Sequence, residues 1–220
     1  MGDRDEVDLR AAGRATWRSL PMLLLASAAI ALVVALALLV AAWWPPAGAA
    51  AGALAAAPLL LALVRCADDV VAGRDVPSAE YLHAVTRLAP RAAGTAVVPC
   101  VLAALTAVAV LAHARGAGAV FLVPVGLGTT ATVLVLAAAL VLLPLRARHR
   151  APGVGGWLLA WHVLARRPVP FLAAAAYAGA GIWWSLTWSN GLFLIVPAPF
   201  ALILAAAYRS SPAEQLLVAD

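Results

Sequence analysis

The residues best suited to chemistry are three aspartates, Asp68, Asp69 and Asp75, which lie in a short polar stretch between two apolar blocks. Adjacent carboxylates at a membrane surface can bind Mg²⁺ and hold the diphosphate group of a substrate, as in membrane prenyltransferases and CDP-alcohol phosphotransferases. Both chemistries need a second acidic cluster to supply further metal ligands or a base. This chain offers only Glu80 nearby and two acids in the C-terminal tail, so its spacing matches neither family.

A structural role is the simpler interpretation of the adjacent pair. Arg65 precedes Asp68 by three residues, and Arg74 follows Asp69 by five. Each acid therefore has a basic partner within reach of its side chain. We predict that Asp68 and Asp69 are solvated acids paired with these two arginines.

Other residues that commonly carry chemistry are scattered. The four histidines show no metal-binding spacing of the His-x-x-x-His kind; they are His83, His113, His149 and His162. Cys66 and Cys100 are too few and too far apart for a disulfide framework or a zinc site. Neither a Walker motif nor a nucleophile elbow is present. We therefore predict no catalytic residue, no metal site and no cofactor, and expect that the protein is not an enzyme.

The chain that positions these residues is strongly apolar. Hydrophobic residues make up 65% of it and charged residues 11%, whereas a soluble domain carries about 25% charged residues. The apolar residues form long blocks, and a block of about 20 crosses the hydrocarbon core as a helix with every backbone group bonded internally. The composition predicts an all-α fold, a polytopic membrane helical bundle, and excludes a soluble domain.

Six apolar blocks predict six transmembrane helices, over about 20–44, 47–64, 92–112, 119–145, 169–187 and 192–208. Residues 1–19 then form a cytoplasmic N-terminal segment, residues 20–208 the membrane domain, and residues 209–220 a cytoplasmic tail. The first block is longer than the apolar region of a signal peptide and follows several acids, so we expect it to be retained. No predicted span contains Asp, Glu, Lys or Arg, which argues against a proton- or sodium-coupled carrier.

The arginines predict the orientation of these spans. All 15 basic residues are arginines, and all but Arg115 fall on the side of the two termini. The positive-inside rule places that side in the cytoplasm, so the formal charge of +5 reflects topology and does not indicate nucleic-acid binding. All eight tryptophans fall near span ends, where the headgroup region favours them. We predict a multi-pass protein of the bacterial cytoplasmic membrane.

Three polar, arginine-bearing stretches end in a proline and lead into a pair of spans; these endings are residues 17–21, 87–90 and 165–168. Apolar residues of the middle stretch share one helical face: Tyr81, Leu82, Val85 and Leu88. We expect these stretches to be short interfacial helices, with arginines toward anionic headgroups. The alternative is that they are the cytoplasmic ends of long tilted spans.

Several features of the sequence together define the layout of its spans and loops. Span two ends in Leu63-Val64-Arg65, a Gly-Arg-Asp turn follows at 73–75, an amphipathic stretch runs from Trp157 to Arg167 and ends in a proline, and a final hairpin closes at Pro197. Over roughly residues 17–208, this layout resembles the YesL-like family of small bacterial integral membrane proteins. The resemblance implies an accessory role in carbohydrate uptake and supplies no catalytic residues.

Three functional hypotheses follow. The leading one is a non-enzymatic accessory or interaction protein, with membrane transporter subunits as partners beside the lipid bilayer. The second is a small permease for a neutral solute, whose hinge-like irregularities are Pro124, Gly126, Gly128 and Pro197. The third is a membrane enzyme using Asp68 and Asp69.

Overall fold

The protein is described by a computed structural model over residues 9–115, 122–148, 153–188 and 194–209. These residues form eight α-helices and no β-strand. In chain order the helices are α1 (Leu9–Arg18), α2 (Leu20–Trp43), α3 (Pro45–Val71), α4 (Ser78–Ala114), α5 (Leu122–Arg148), α6 (Gly153–Arg166), α7 (Pro168–Thr187) and α8 (Pro197–Arg209). The prediction of an all-α chain is confirmed for this part of the sequence.

Four of the helices, α2 to α5, are long and apolar enough to cross a membrane. Their outward faces carry large apolar side chains, as on α2, where Leu32, Leu36 and Leu39 are 62%, 53% and 65% exposed. A water-soluble protein rarely leaves such a continuous apolar surface uncovered. The described structure is therefore compatible with insertion into a membrane.

Prolines mark where several of these helices begin. Pro45 opens α3 directly after the extended residue Trp44, so the turn between the first two apolar blocks spans a single residue. Pro168 and Pro197 open α7 and α8 in the same way. Proline is tolerated in the first turn because that backbone N–H has no partner within the helix. Pro197, considered above as a hinge, is thus the first residue of a helix.

The three amphipathic stretches have different structures. The first and third are separate helices, α1 and α6. The middle one continues into the following apolar block, because α4 runs unbroken for 37 residues through Pro90 and Pro99. At about 55 Å, α4 is longer than the hydrocarbon core is thick. Of its predicted apolar face, Tyr81 and Leu88 are buried within the protein, whereas Leu82 is 55% exposed.

The packing is centred on α3, which contacts α1, α2, α4, α5 and α8. Four consecutive residues, from Leu61 to Val64, have no solvent exposure. A helix buried on every side in this way must be surrounded by other helices. The second half of α3 is consequently the structural axis of the bundle.

The first half of α3 approaches α2 through two glycines, Gly48 and Gly52. A Cβ atom on Gly48 would lie 2.5 Å from the Cα atom of Ala41, and one on Gly52 would lie 2.6 Å from the Cβ atom of Ala37. Small residues four apart allow such close contact between membrane helices, where packing replaces the hydrophobic effect as the cause of association.

Replacing Gly48 with alanine should destabilise the protein, because the new methyl group would collide with the α2 backbone. Overpacking of this kind costs about 1–3 kcal/mol. Thermal unfolding of the detergent-purified protein measures the change. Gly179→Ala on α7 is the matched control, since a Cβ there has no neighbour within 4 Å. Equal unfolding temperatures for the two variants would contradict the close α2–α3 contact.

Candidate functional site

Asp68 lies in the last turns of α3 and binds two arginines from other helices. Arg148, the last residue of α5, donates from Nε to Oδ2 at 2.8 Å and from Nη2 to Oδ1 at 2.6 Å. Arg209, the last residue of α8, donates from Nε to Oδ1 at 2.7 Å and from Nη2 to the Asp68 carbonyl at 2.9 Å. Asp68, Arg148 and Arg209 together are called the Asp68 cluster below.

The Asp68 cluster lies where three helices end. Carbonyl groups at a helix C-terminus lack intrahelical partners and carry a partial negative charge, which favours nearby cations. The guanidinium of Arg148 also lies 5.4 Å from the centre of the Tyr208 ring on α8, within range of a cation–π interaction. The cluster therefore ties the ends of α3, α5 and α8 to one another.

Asp69 has a separate set of partners on its own side of α3. Arg74 forms an ion pair with Oδ1 of Asp69, and the turn between them contains Gly73 at a φ of 78°. Arg65 lies one turn earlier, with its Nη atoms 3.8 Å from Oδ2 of Asp68 and from Oδ2 of Asp69. The predicted pairing of the two acids with Arg65 and Arg74 is confirmed.

The predicted solvation of these acids is wrong. Asp68 is 5% exposed and Asp69 is 7% exposed. Burial of a carboxylate is costly unless cations and hydrogen bonds compensate it, and arginines on α5 and α8 supply that compensation for Asp68. Arg148 and Arg209 were not predicted as partners of Asp68, because they follow it by 80 and 141 residues in sequence. The only advance signal was that all three residues fall at predicted span ends on the same side.

This arrangement leaves Asp68 poorly suited to metal chemistry. Both of its carboxylate oxygens already accept charge-assisted hydrogen bonds, so a metal ion would have to displace a guanidinium group. Within the described ranges, no group of three or more His, Cys, Asp or Glu residues could hold a metal ion. Asp75 lies apart from the pair and binds Arg18 of α1 at 3.0 Å.

Glu80 and His83 belong to a different feature, a cavity of about 420 Å³ between α3 and α4. Arg65, Asp69 and Arg87 also line it. The cavity therefore carries side chains of both charges, contributed by two helices.

Cys66 also lines this cavity, whereas Cys100 and the other described histidines belong to neither feature. His113 lies near the opposite end of α4 and His162 on α6, and His149 falls outside the residues that the structure describes. Cys66 and Cys100 are buried free thiols. The Sγ atom of Cys100 donates a weak hydrogen bond to the Ala50 carbonyl at 3.8 Å.

Most threonine hydroxyls within the apolar helices form hydrogen bonds to the backbone of their own helix. An apolar groove of about 400 Å³ between α4 and α5 is lined in part by Thr106, Thr129 and Thr132. Each hydroxyl donates to the carbonyl four residues earlier in its own helix, at 2.7–2.8 Å. These hydroxyls therefore stabilise no charge and offer little to a polar solute.

Comparison of the chain with protein-family models, with curated proteins and with solved structures finds no match. The resemblance to the YesL-like family remains a prediction.

Replacing Asp68 with asparagine should destabilise the protein strongly. Asparagine keeps the shape and one carbonyl acceptor, but it leaves Arg148 and Arg209 without their buried counter-charge. Breaking one partner of a buried ion pair costs about 3–5 kcal/mol. Thermal and denaturant unfolding in detergent measure the loss.

Asp75→Asn is the matched control for that variant. The side chains of the Arg18–Asp75 pair are 69% and 51% exposed, and exposed pairs contribute about 1 kcal/mol or less. Equal losses of stability in Asp68→Asn and Asp75→Asn would show that the Asp68 cluster does not hold the helix ends together.

Proposed function

We propose that the protein is a six-span membrane protein with both termini in the cytoplasm, and that it acts as a non-enzymatic accessory subunit of a membrane transport assembly. The observation that carries this proposal is the Asp68 cluster. Its geometry favours a structural role, in which it links the ends of three helices, over a catalytic role. The same contacts support the proposed topology.

The topology is supported by which helix ends meet. In a chain of six alternating spans, spans two, four and six all run from the outside to the cytoplasm. Their counterparts are α3, α5 and α8, and the last turns of these three helices are joined through Asp68, Arg148 and Arg209. The Arg18–Asp75 pair joins the end of α1 to the turn after α3, at the same end of the bundle.

The accessory role is supported by the way the charges are used. The buried carboxylates form ion pairs within the protein. Arginines such as Arg74, Arg87 and Arg166 have exposed side chains. An exposed basic surface next to the bilayer suits contact with anionic headgroups or with an acidic partner subunit. The YesL-like resemblance points to a carbohydrate importer as that partner.

The two other hypotheses have weaker support. A permease for a neutral solute needs polar groups that can exchange hydrogen bonds with its cargo, but the threonines of the α4–α5 groove bond to their own backbone. A membrane enzyme using Asp68 and Asp69 needs free carboxylate oxygens, and those of Asp68 bind arginines.

Reporter fusions test the topology. Green fluorescent protein fused after Arg209 should fluoresce, because that end is expected in the cytoplasm, whereas alkaline phosphatase at the same position should be inactive. The pattern should reverse for fusions after Arg115, the one arginine expected outside. Active phosphatase after Arg209 would contradict an even number of spans with a cytoplasmic N-terminus.

Affinity purification from native membranes in mild detergent tests the accessory role. The tagged full-length chain should recover transporter subunits in stoichiometric amounts, identified by mass spectrometry. An unrelated multi-pass protein with the same tag and expression level is the control. If the chain is recovered alone, the accessory role is wrong, and solute uptake into reconstituted vesicles then tests the permease hypothesis.

A further inference from the structure

The cavity between α3 and α4 has an ordered distribution of charge. On α3, Arg65 precedes Asp69 by one helical turn, a rise of about 6 Å. On α4, Glu80 precedes Arg87 by two turns, a rise of about 10 Å. All four side chains line the same cavity of about 420 Å³, and their formal charges sum to zero.

The two helices run in opposite directions, so these charges fall into two layers. In the proposed topology α3 runs toward the cytoplasm, which places Arg65 nearer the membrane than Asp69. Helix α4 runs away from the cytoplasm, which places Arg87 nearer the membrane than Glu80. The two arginines therefore form a cationic layer at the membrane surface, and the two acids form an anionic layer farther into the cytoplasm.

Much of this charge remains available to a ligand. Asp69 is already paired with Arg74, and Arg65 lies 3.8 Å from the carboxylates of both Asp68 and Asp69. Glu80 and Arg87, by contrast, form no ion pair among the residues that the structure describes, and both are exposed. One cation near the membrane and one carboxylate farther out thus face the cavity with their charges uncompensated.

We propose that this cavity binds the phosphoethanolamine headgroup of an inner-leaflet phospholipid. Its phosphate lies between the guanidinium groups of Arg65 and Arg87, and its ammonium group donates to the carboxylate of Glu80. Guanidinium groups bind phosphate through paired, charge-assisted hydrogen bonds. The inference rests on the proposed topology but is independent of the accessory role.

The charge order favours this headgroup over other lipids. In phosphatidylethanolamine the phosphate is attached to the glycerol that carries the acyl chains, and the ammonium group lies farther from the membrane. The phosphate therefore matches the cationic layer and the ammonium group matches the anionic layer. An anionic headgroup would meet Glu80 without a positive group to pair with it. A choline headgroup carries no N–H donor for Glu80, and the described residues that line the cavity include none of the aromatic rings that commonly bind quaternary ammonium.

Native mass spectrometry of the delipidated full-length protein in detergent tests the proposal. The wild-type chain should bind phosphatidylethanolamine about tenfold more tightly than phosphatidylglycerol, the effect of one charge-assisted contact. Arg87→Gln should weaken binding of both lipids about tenfold. Glu80→Gln should abolish the preference between them, because it removes the negative charge that attracts the ammonium group and keeps the shape of the side chain.

Arg115→Gln is the control, since this exposed arginine lies at the end of α4 opposite to the cavity and does not line it. Its lipid binding should equal that of the wild type. Equal wild-type affinity for the two lipids, or equal losses in Arg87→Gln and Arg115→Gln, would overturn the proposal.

The source of the headgroup is tested by competition. Glycerophosphoethanolamine carries the same phosphate and ammonium groups without acyl chains. It should compete only at a large excess over the lipid. Competition at equal concentration would mean that the site holds a free phosphoethanolamine compound, and the assignment to a membrane lipid would be wrong. These assays contain no protein partner, so failure of the accessory role leaves their outcome unchanged.

Discussion

The burial of one carboxylate constrains the whole bundle. Asp68 is surrounded by protein near the end of α3, the helix on which the packing is centred, and its charge is tolerated there only because two guanidinium groups bind it. Those groups belong to the final residues of α5 and α8, so neither helix can shift along its axis or rotate without exposing an unpaired charge. The electrostatic requirement of a single side chain thereby fixes the relative heights of three helices.

The same bundle uses other forces where ion pairs are unavailable. Hydrocarbon solvates apolar side chains as well as other helices do, so burial of leucine gives no preference for one packing over another within a bilayer. Close contact at Gly48 and Gly52 fixes the α2–α3 hairpin at the end remote from Asp68. The hydroxyls of Thr106 and Thr132 bond within their own helices and also meet across α4 and α5 at 3.3 Å. The specific packing of the helices therefore depends on small residues at the Gly48 end of the bundle and on arginine ion pairs at the Asp68 end.

The sequence predicted the all-helical chain and its four long apolar helices well, and the contacts between helices poorly. Long apolar blocks predicted α2 and α3, because an apolar block of this length is the signal for a helix that can cross a bilayer. Pro45 marked the boundary between them. The partners of Asp69 were predicted because Arg65 and Arg74 are close in sequence. Arg148 and Arg209 could not be assigned to Asp68, since only the tertiary packing brings such distant residues together. Pro90 suggested a helix end, but a proline deprives its helix of only one hydrogen bond, and α4 continues through it.

The wide separation of the cluster residues along the chain has a consequence for biosynthesis. Asp68 leaves the ribosome long before Arg148, and Arg209 follows only after almost all of the described chain has been made. The acid is therefore synthesised well before its partners, with the five helices α4 to α8 still to follow. The pairing of Asp68 is complete only once Arg209 has been made, so a chain interrupted before that residue retains an incompletely paired buried charge, the kind of defect that quality-control proteases can recognise.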